Sequence, residues 1–192
     1  ASFGILCALL YLWYVAALGS RWGGMAAALL MFAQPRAFFH AQTASFDLPI
    51  AALWVATAYA YWRSLEAANW RGAIATGGLF GLCLATKLQS FLLPIALSLH
   101  CVWLMRNRMS ASVRGALRAL AAMAVIGPAT LFVMWPWLWH DTVARVQAYV
   151  QFHLQHEHYN FEYLGRNFNQ PPFPWHEPLG MLIFTAPVVT PV

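Results

Sequence analysis

Long apolar runs, separated by short polar stretches, follow one another along the chain. A helix that crosses a bilayer needs about 20 predominantly apolar residues, and several of these runs approach that length. The pattern therefore predicts an all-α fold, a polytopic transmembrane helical bundle of about seven segments. The predicted segments are 2–18, 22–39, 48–62, 72–86, 88–105, 117–139 and 178–192.

The run 72–105 is either one long tilted helix or two short helices that meet near Lys87. With two helices, the loops alternate between two sides of the membrane, and seven of the eleven basic residues fall on one side. The positive-inside rule makes that side cytoplasmic. The opposite side holds five of the six acids and six of the seven histidines. A single helix would place Lys87 in mid-bilayer and scatter this distribution, so two helices are favoured.

Composition agrees with a membrane location. Hydrophobic residues make up 61% of the chain and charged residues 9%, whereas a soluble domain has about 25% charged residues. The net charge of +5 is explained by topology-setting arginines, so no nucleic-acid partner is predicted. The three cysteines lie in apolar segments at spacings that match no metal motif, which is typical of small buried side chains.

The longest polar stretch, 140–177, is predicted to be an extracytoplasmic loop. Val143, Val146 and Val150 recur in it at helical spacing, which predicts an amphipathic helix lying in the membrane interface. The later "NQPPFPWHEP" cannot form a regular helix, because its prolines lack the backbone donor and clash with the preceding turn.

Histidines and aromatic residues gather in the same loop. His153, His156 and His158 match no zinc motif, so they are interpreted as interfacial side chains and no metal ligand is assigned. Trp175 and His176 can either stack on a sugar or anchor the chain at the membrane interface.

Asp47 and Lys87 are the two charged residues that could carry chemistry. An acid near the membrane core is costly and is therefore a functional hypothesis by default. Pro49 favours a helix start, so the spacing alone favours Asp47 as an ordinary helix cap, and both descriptions can hold together. Lys87 is the only lysine in the chain. It could bind a phosphate, although its spacing alone favours a lysine that snorkels to the interface.

Four stretches together resemble the membrane-embedded glycosyltransferases of the C-type fold. The resemblance is to family 39, which includes protein O-mannosyltransferases and bacterial lipid A aminoarabinose transferases, and it covers nearly the whole chain. The order and spacing of the four stretches are more specific than any one of them. They are "GSRWGGMAAALLMFAQPRAFFHAQTASFDLP", "GLFGLCLATKLQSFLLP", "WPWLWHDTVARVQAYVQFHLQHEHYNF" and "NQPPFPWHEPLGMLIFTAPVVTP".

The resemblance implies an enzyme that transfers a hexosyl or pentosyl group from a polyprenyl-phosphate donor to an acceptor hydroxyl. Asp47 matches the family's second acid, which implies a catalytic role. Lys87 matches the lysine assigned to the donor's phosphate region, although Leu88 stands where the family often has glycine. Further contacts to donor or acceptor are expected from residues near these two and in the later loop. They are Arg36, His40, His158, Trp175 and His176.

The resemblance also implies how the chain fits into a larger protein. Residues 1–192 are expected to be part of one transmembrane glycosyltransferase domain, lacking its first helix, its first external loop and its C-terminal part. The loop that is expected to precede this chain would carry the acid that acts as the base. The site is expected to face the extracytoplasmic side of the bacterial inner membrane. The expected partners are the lipid-linked donor, membrane lipids and a protein, lipid or glycan acceptor; no cofactor is assigned, and a divalent metal stays open.

Two other functions fit the same pattern of residues. A transporter or flippase of a lipid-linked sugar would also place Asp47 and Lys87 at a cavity within the membrane domain. A non-catalytic membrane scaffold would need neither residue for chemistry.

Overall fold

The computed structural model describes residues 1–43, 45–67, 69–155 and 160–185, and this part of the chain is mostly helical. It forms two compact units, Ala1–Pro136 and Trp137–Val192. The helices are α1 (Ser2–Leu18), α2 (Arg21–Phe32), α3 (Pro35–Gln42), α4 (Asp47–Ala67), α5 (Trp70–Thr86), α6 (Leu92–Arg106), α7 (Ser110–Met134), α8 (Thr142–Leu154) and α9 (Glu177–Thr185). The strands are β1 (Phe161–Tyr163) and β2 (Arg166–Phe168), and two short 3-10 turns lie at Leu88–Phe91 and Pro136–Trp139.

The helices follow the predicted apolar segments, with informative differences. The segment 22–39 is divided, because Pro35 lacks a backbone N–H and starts a new helix, α3. The run 72–105 forms two helices that separate at Lys87, as predicted. α7 begins at Ser110, earlier than its apolar run, so its first turns are polar.

Two helices in the described part of the chain are long and apolar enough to cross a membrane. They are Leu88–Arg106, which includes the 3-10 turn before α6, and Ser110–Met134. In each helix, 22% of the most apolar 18-residue stretch is buried inside the protein. Large side chains such as Leu99 and Val125 remain 67% and 71% exposed, which suits a lipid environment better than a water-covered surface. The total of about seven spans stays a prediction.

Small residues allow α5 to approach α7 closely in the first unit. Gly77 and Gly81 lie one turn apart on α5 and face the backbone of α7. A Cβ on Gly77 would lie 2.6 Å from the Ala122 carbonyl oxygen, and one on Gly81 would lie 2.7 Å from that of Gly127. Such spacing of small residues permits close packing of helix backbones within a membrane, where packing rather than the hydrophobic effect holds helices together.

We expect Gly77→Ala and Gly81→Ala to destabilise the fold by about 1–3 kcal/mol each, the usual cost of overpacking. The added methyl group would meet α7 backbone, which cannot move aside without shifting the helix. Gly78→Ala is the matched control, because nothing lies within 4 Å of its Cβ position. Thermal unfolding in detergent would measure the difference. An unfolding midpoint as low for Gly78→Ala as for its neighbour Gly77→Ala would contradict the packing explanation.

The second unit contains α8, the hairpin of β1 and β2, and α9. α8 occupies the place where the sequence predicts an amphipathic helix, and its location in the membrane interface stays a prediction. The hairpin corrects the all-α prediction within 140–177. Leu164 and Gly165 both have positive φ, as a two-residue hairpin turn requires, and Phe161 stacks on Phe168 across the strands.

Candidate functional site

The break between α5 and the following 3-10 turn places Lys87 outside regular helix. Lys87 is extended, with φ −157° and ψ 131°, and its N–H donates to the Cys83 carbonyl oxygen at 3.0 Å. Ser90 is fully buried just beyond the break, and its hydroxyl donates to the same carbonyl at 3.0 Å. That hydroxyl also accepts a hydrogen bond from Nε1 of Trp54 on α4 at 3.3 Å. The break is therefore tied to both helices that flank the site.

Asp47 begins α4, as its position before Pro49 predicts. Its carboxylate accepts hydrogen bonds from neighbouring side chains. The Ser45 hydroxyl donates to Asp47 Oδ2 at 2.7 Å and accepts the Asp47 backbone N–H at 3.1 Å. Such a local turn fixes both the backbone at the helix start and the direction of the carboxylate. An acid in the first helical turn is also favoured by the positive end of the helix dipole.

Asp47 and Lys87 form an ion pair, although they lie 40 positions apart in the sequence. Lys87 Nζ donates to Asp47 Oδ1 at 2.8 Å, and the side chains are 37% and 43% exposed. A pair this exposed contributes only about 0–1 kcal/mol to stability. The contribution of this pair to the stability of the fold is therefore too small to explain by itself why the two residues meet.

The hydrogen bond from Lys87 lowers the pKa of Asp47, and the hydrogen bond from Ser45 lowers it further. Partial burial acts in the opposite direction without overcoming them. A lowered pKa means that Asp47 is ionised throughout the neutral pH range. The small stabilisation from the pair is present above the ordinary aspartate pKa and is lost as pH falls through the lowered value.

His40, near the end of α3, completes the cluster. Its Nδ1 lies 3.4 Å from Asp47 Oδ2, the carboxylate oxygen that Ser45 also contacts, and its side chain is 27% exposed. Arg36 lies one turn earlier on α3 and is exposed. The structure thus brings His40, Asp47 and Lys87 together.

An open pocket of about 160 Å³ adjoins this cluster in the first unit. Its polar lining includes His40, Thr43 and Ser45, and the other lining residues are Ala1, Ser2, Phe3, Ala41, Leu48 and Pro49. Among the described residues of this region, His40 and Ser45 face the pocket, whereas Asp47 does not line it.

Trp175 and His176 belong to the second unit and are described within it. Trp175 is 83% exposed, and its ring meets the His176 ring edge to face at 5.6 Å. His176 Nδ1 lies 3.1 Å from the Tyr163 hydroxyl, which fixes the imidazole against the hairpin. His158, the remaining residue expected to contact donor or acceptor, lies outside the described residues.

The donor set of the site does not fit a divalent cation. Within residues 1–43, 45–67, 69–155 and 160–185, no three histidine, cysteine or acidic side chains come together. The one carboxylate of the cluster is already neutralised by an ammonium group at 2.8 Å. Hard cations such as Mg²⁺ and Ca²⁺ require several oxygen ligands, so His40, Asp47 and Lys87 by themselves do not form a site for such a cation.

Three residues that shape the site escaped the sequence analysis. Ser45 orients Asp47, while Trp54 and Ser90 fix the break at Lys87. The "ASFDLP" stretch did contain a signal for Ser45, because a serine two residues before a helix-starting acid is typical of a local side-chain turn. Trp54 and Ser90 lie in apolar surroundings and give no comparable local signal.

Comparison with known proteins identifies a family. The family model described as dolichyl-phosphate-mannose-protein mannosyltransferase matches residues 2–137. That range is more than half of the 192 residues and contains His40, Ser45, Asp47 and Lys87. No curated protein and no solved structure matched the chain. The chain therefore belongs to the dolichyl-phosphate-mannose-protein mannosyltransferase family, a family of membrane glycosyltransferases of the C-type fold.

Proposed function

We propose that the protein transfers a sugar from a polyprenyl-phosphate donor to an acceptor hydroxyl on the extracytoplasmic side of the membrane. The observation that carries the proposal is the ion pair between Asp47 and Lys87 at an open site within the matched region. The family's description names a mannose donor linked to a lipid phosphate and a protein acceptor. Mannose and a serine or threonine hydroxyl are accordingly the first substrates to test.

Lys87 suits the donor phosphate. A lysine ammonium has three N–H donors, and Asp47 takes one of them at 2.8 Å. The remaining donors can bind phosphate oxygens, and the positive charge would stabilise the phosphate as it leaves with an extra negative charge. Asp47 would hold the Lys87 ammonium in place while the donor enters.

The side of the membrane that the candidate site faces is inferred from the ends of α4 and α5. Asp47 starts α4, and Lys87 follows the end of α5, so the pair lies at one end of this helical hairpin. Arg63 and Arg71 lie near the opposite end, where Ser64 and Gly72 approach each other. The positive-inside rule favours the arginine end as cytoplasmic. The candidate site would then face the other side of the membrane.

The reaction would break the bond between the anomeric carbon and the phosphate oxygen. The electron pair of that bond stays on the phosphate, the acceptor oxygen bonds to the anomeric carbon, and the acceptor loses its proton. The site must therefore supply positive charge at the phosphate and a group that takes the proton. Lys87 supplies the first of these.

A test is to place the full-length protein in liposomes with polyprenyl-phosphate mannose that carries radiolabel in the sugar. A serine- and threonine-containing peptide, lipid A or an oligosaccharide is added as acceptor, and released carrier phosphate is measured together with the position of the label. Acceptor-dependent phosphate release, with label on the acceptor, is the expected result. Label that crosses the bilayer with its sugar–phosphate bond intact would instead establish a transporter. Neither release nor movement with any acceptor would contradict both functions.

A further inference from the structure

We propose that Arg71 and Arg114 bind the phosphate head group of an anionic phospholipid, at the opposite end of the α4–α5 hairpin from Asp47 and Lys87. This lipid site is independent of the proposed transferase function. At this end α4 and α6 end while α5 and α7 begin, and the chain carries a large excess of positive charge there. A single acid, Glu66, accompanies six arginines. The arginines are Arg63, Arg71, Arg106, Arg108, Arg114 and Arg118.

Close packing of three helices brings the backbones of Arg71 and Arg114 near each other. Gly72 on α5 and Gly115 on α7 both pack against Ser64 on α4. A Cβ on Gly72 would lie 3.2 Å from the Ser64 Cα, and one on Gly115 would meet the Ser64 carbonyl oxygen. Arg71 and Arg114 directly precede these two glycines, and both arginines are exposed. Their guanidinium groups can therefore reach one phosphate group from two different helices.

The positive charge of Arg71 and Arg114 has no acidic partner within the described part of the chain. Besides Asp47 at the other end, Glu66 is the only acid in α4 to α7, and it pairs with Arg63 at 3.7 Å. The ion pairs of the described residues include neither Arg71 nor Arg114. A phosphate anion suits these two side chains, because the planar guanidinium donates parallel hydrogen bonds to two oxygens.

Trp70 and Arg118 place this surface at the level of lipid head groups. Trp70 begins α5 immediately before Arg71, and 58% of its surface is exposed. Arg118 lies about two turns inside α7, and its guanidinium carbon is 5.6 Å from the centre of the Trp70 ring. Exposed tryptophans at helix ends are typical of the boundary between lipid and water, where the ring lies beside the head groups.

Exposed apolar side chains adjoin both arginines on the side of the helix interiors. Ile74 follows Arg71 by three residues and is 52% exposed, and Leu117 follows Arg114 by three residues and is 48% exposed. Residues three positions apart lie on the same face of a helix. A ligand that binds the arginines through a phosphate would meet this apolar surface next to it. The acyl chains of a phospholipid would cover that surface, whereas a soluble anion would leave it bare.

The test is a titration of the full-length protein in detergent with phosphatidylglycerol, followed by native mass spectrometry. The double variant of Arg71→Gln and Arg114→Gln should bind this lipid about 25-fold more weakly than wild type, a factor of about five for each arginine. The matched control combines Arg21→Gln and Arg106→Gln, which remove the same charge from exposed positions on α2 and α6. Its affinity should change by about twofold or less, because charges away from the site are screened by salt.

Three results would overturn the inference. Equal weakening in the two double variants would show that the lipid responds only to the total charge of the protein. Phosphatidylcholine that binds as tightly as phosphatidylglycerol would show that the head-group charge has no role. Glycerol 3-phosphate that displaces the lipid at equal concentration would show a site for a free anion.

Thermal unfolding without lipid is the check that the variants fold, and the midpoints should match because the substituted arginines are exposed. Should the double variant of Arg71→Gln and Arg114→Gln not fold, each single variant should weaken binding about fivefold. Wild-type affinity in both single variants would equally overturn the inference.

Discussion

Asp47→Asn should lower sugar transfer by about 10³-fold while the protein still inserts into the membrane. The substitution keeps the size of the side chain and leaves the backbone N–H that Ser45 accepts, so α4 still starts at the same place. It removes the negative charge that holds Lys87 at 2.8 Å and lies 3.4 Å from His40. Both neighbours then lose their orientation at once.

The kinetic pattern for Asp47→Asn is specific. The Lys87 side chain itself is unchanged, so the KM for the donor should change less than kcat. Initial rates with polyprenyl-phosphate mannose, measured at matched protein levels in liposomes, would give both parameters. Glu66→Gln is the control, because Glu66 is half-exposed and pairs with Arg63 at 3.7 Å in a contact that should not affect transfer. Wild-type kcat in Asp47→Asn would contradict the assignment of Asp47 to the site.

Lys87→Met should lower transfer by about 10²- to 10³-fold, with a higher KM for the donor and a lower kcat. Removing the ammonium takes away the positive charge proposed to bind the phosphate. The pKa of Asp47 should rise towards its ordinary value, because the hydrogen bond from Lys87 is the largest cause of its lowering. That ordinary value, about 3.9, is still well below neutral pH. The carboxylate would therefore remain ionised, unpaired with Lys87, and would repel the anionic donor.

Two further variants test whether Asp47 and Lys87 act together in transfer or contribute to it independently. Lys87→Arg should recover part of the activity, because charge is kept while a planar guanidinium replaces a compact ammonium. The double variant of Asp47→Asn and Lys87→Met should lose much less than the product of the single losses, since groups that act as a unit are not additive. Arg63→Met is the matched control for loss of a cation. Independent, multiplicative losses would show that the contact at 2.8 Å has no role in transfer.

Much of the first unit could be predicted from the sequence, because helix formation here depends on local features. Apolar runs mark the helices, Pro49 indicates the start of α4, and the distribution of arginines favours two helices on either side of Lys87. The break before α3 was missed, although Pro35 indicates it by the same principle as Pro49. The hairpin of β1 and β2 was missed for a different reason. Its strands are only three residues long and show no extended alternation.

The candidate site was predicted only in part. The loop pattern predicts that His40, Asp47 and Lys87 lie on one side of the membrane, a prediction that concerns only the helix ends and requires no knowledge of packing. The resemblance to family 39 added roles for Asp47 and Lys87, and those roles stay proposals. Ser45, Trp54 and Ser90 were not identified, because each acts through a single hydrogen bond or a pair of them within the folded chain.

The sequence by itself determined that the chain is helical and belongs to a membrane protein, and it predicts that polar residues gather at one set of helix ends. Those properties follow from the length, polarity and charge of each segment, and they hold however the helices are rotated. Only the tertiary structure decided that Lys87 meets Asp47 and that His40, rather than Asp47, faces the pocket. Such contacts depend on the rotation and separation of neighbouring helices. Close packing at residues such as Gly77 and Gly81 sets these quantities, and no local pattern encodes the result.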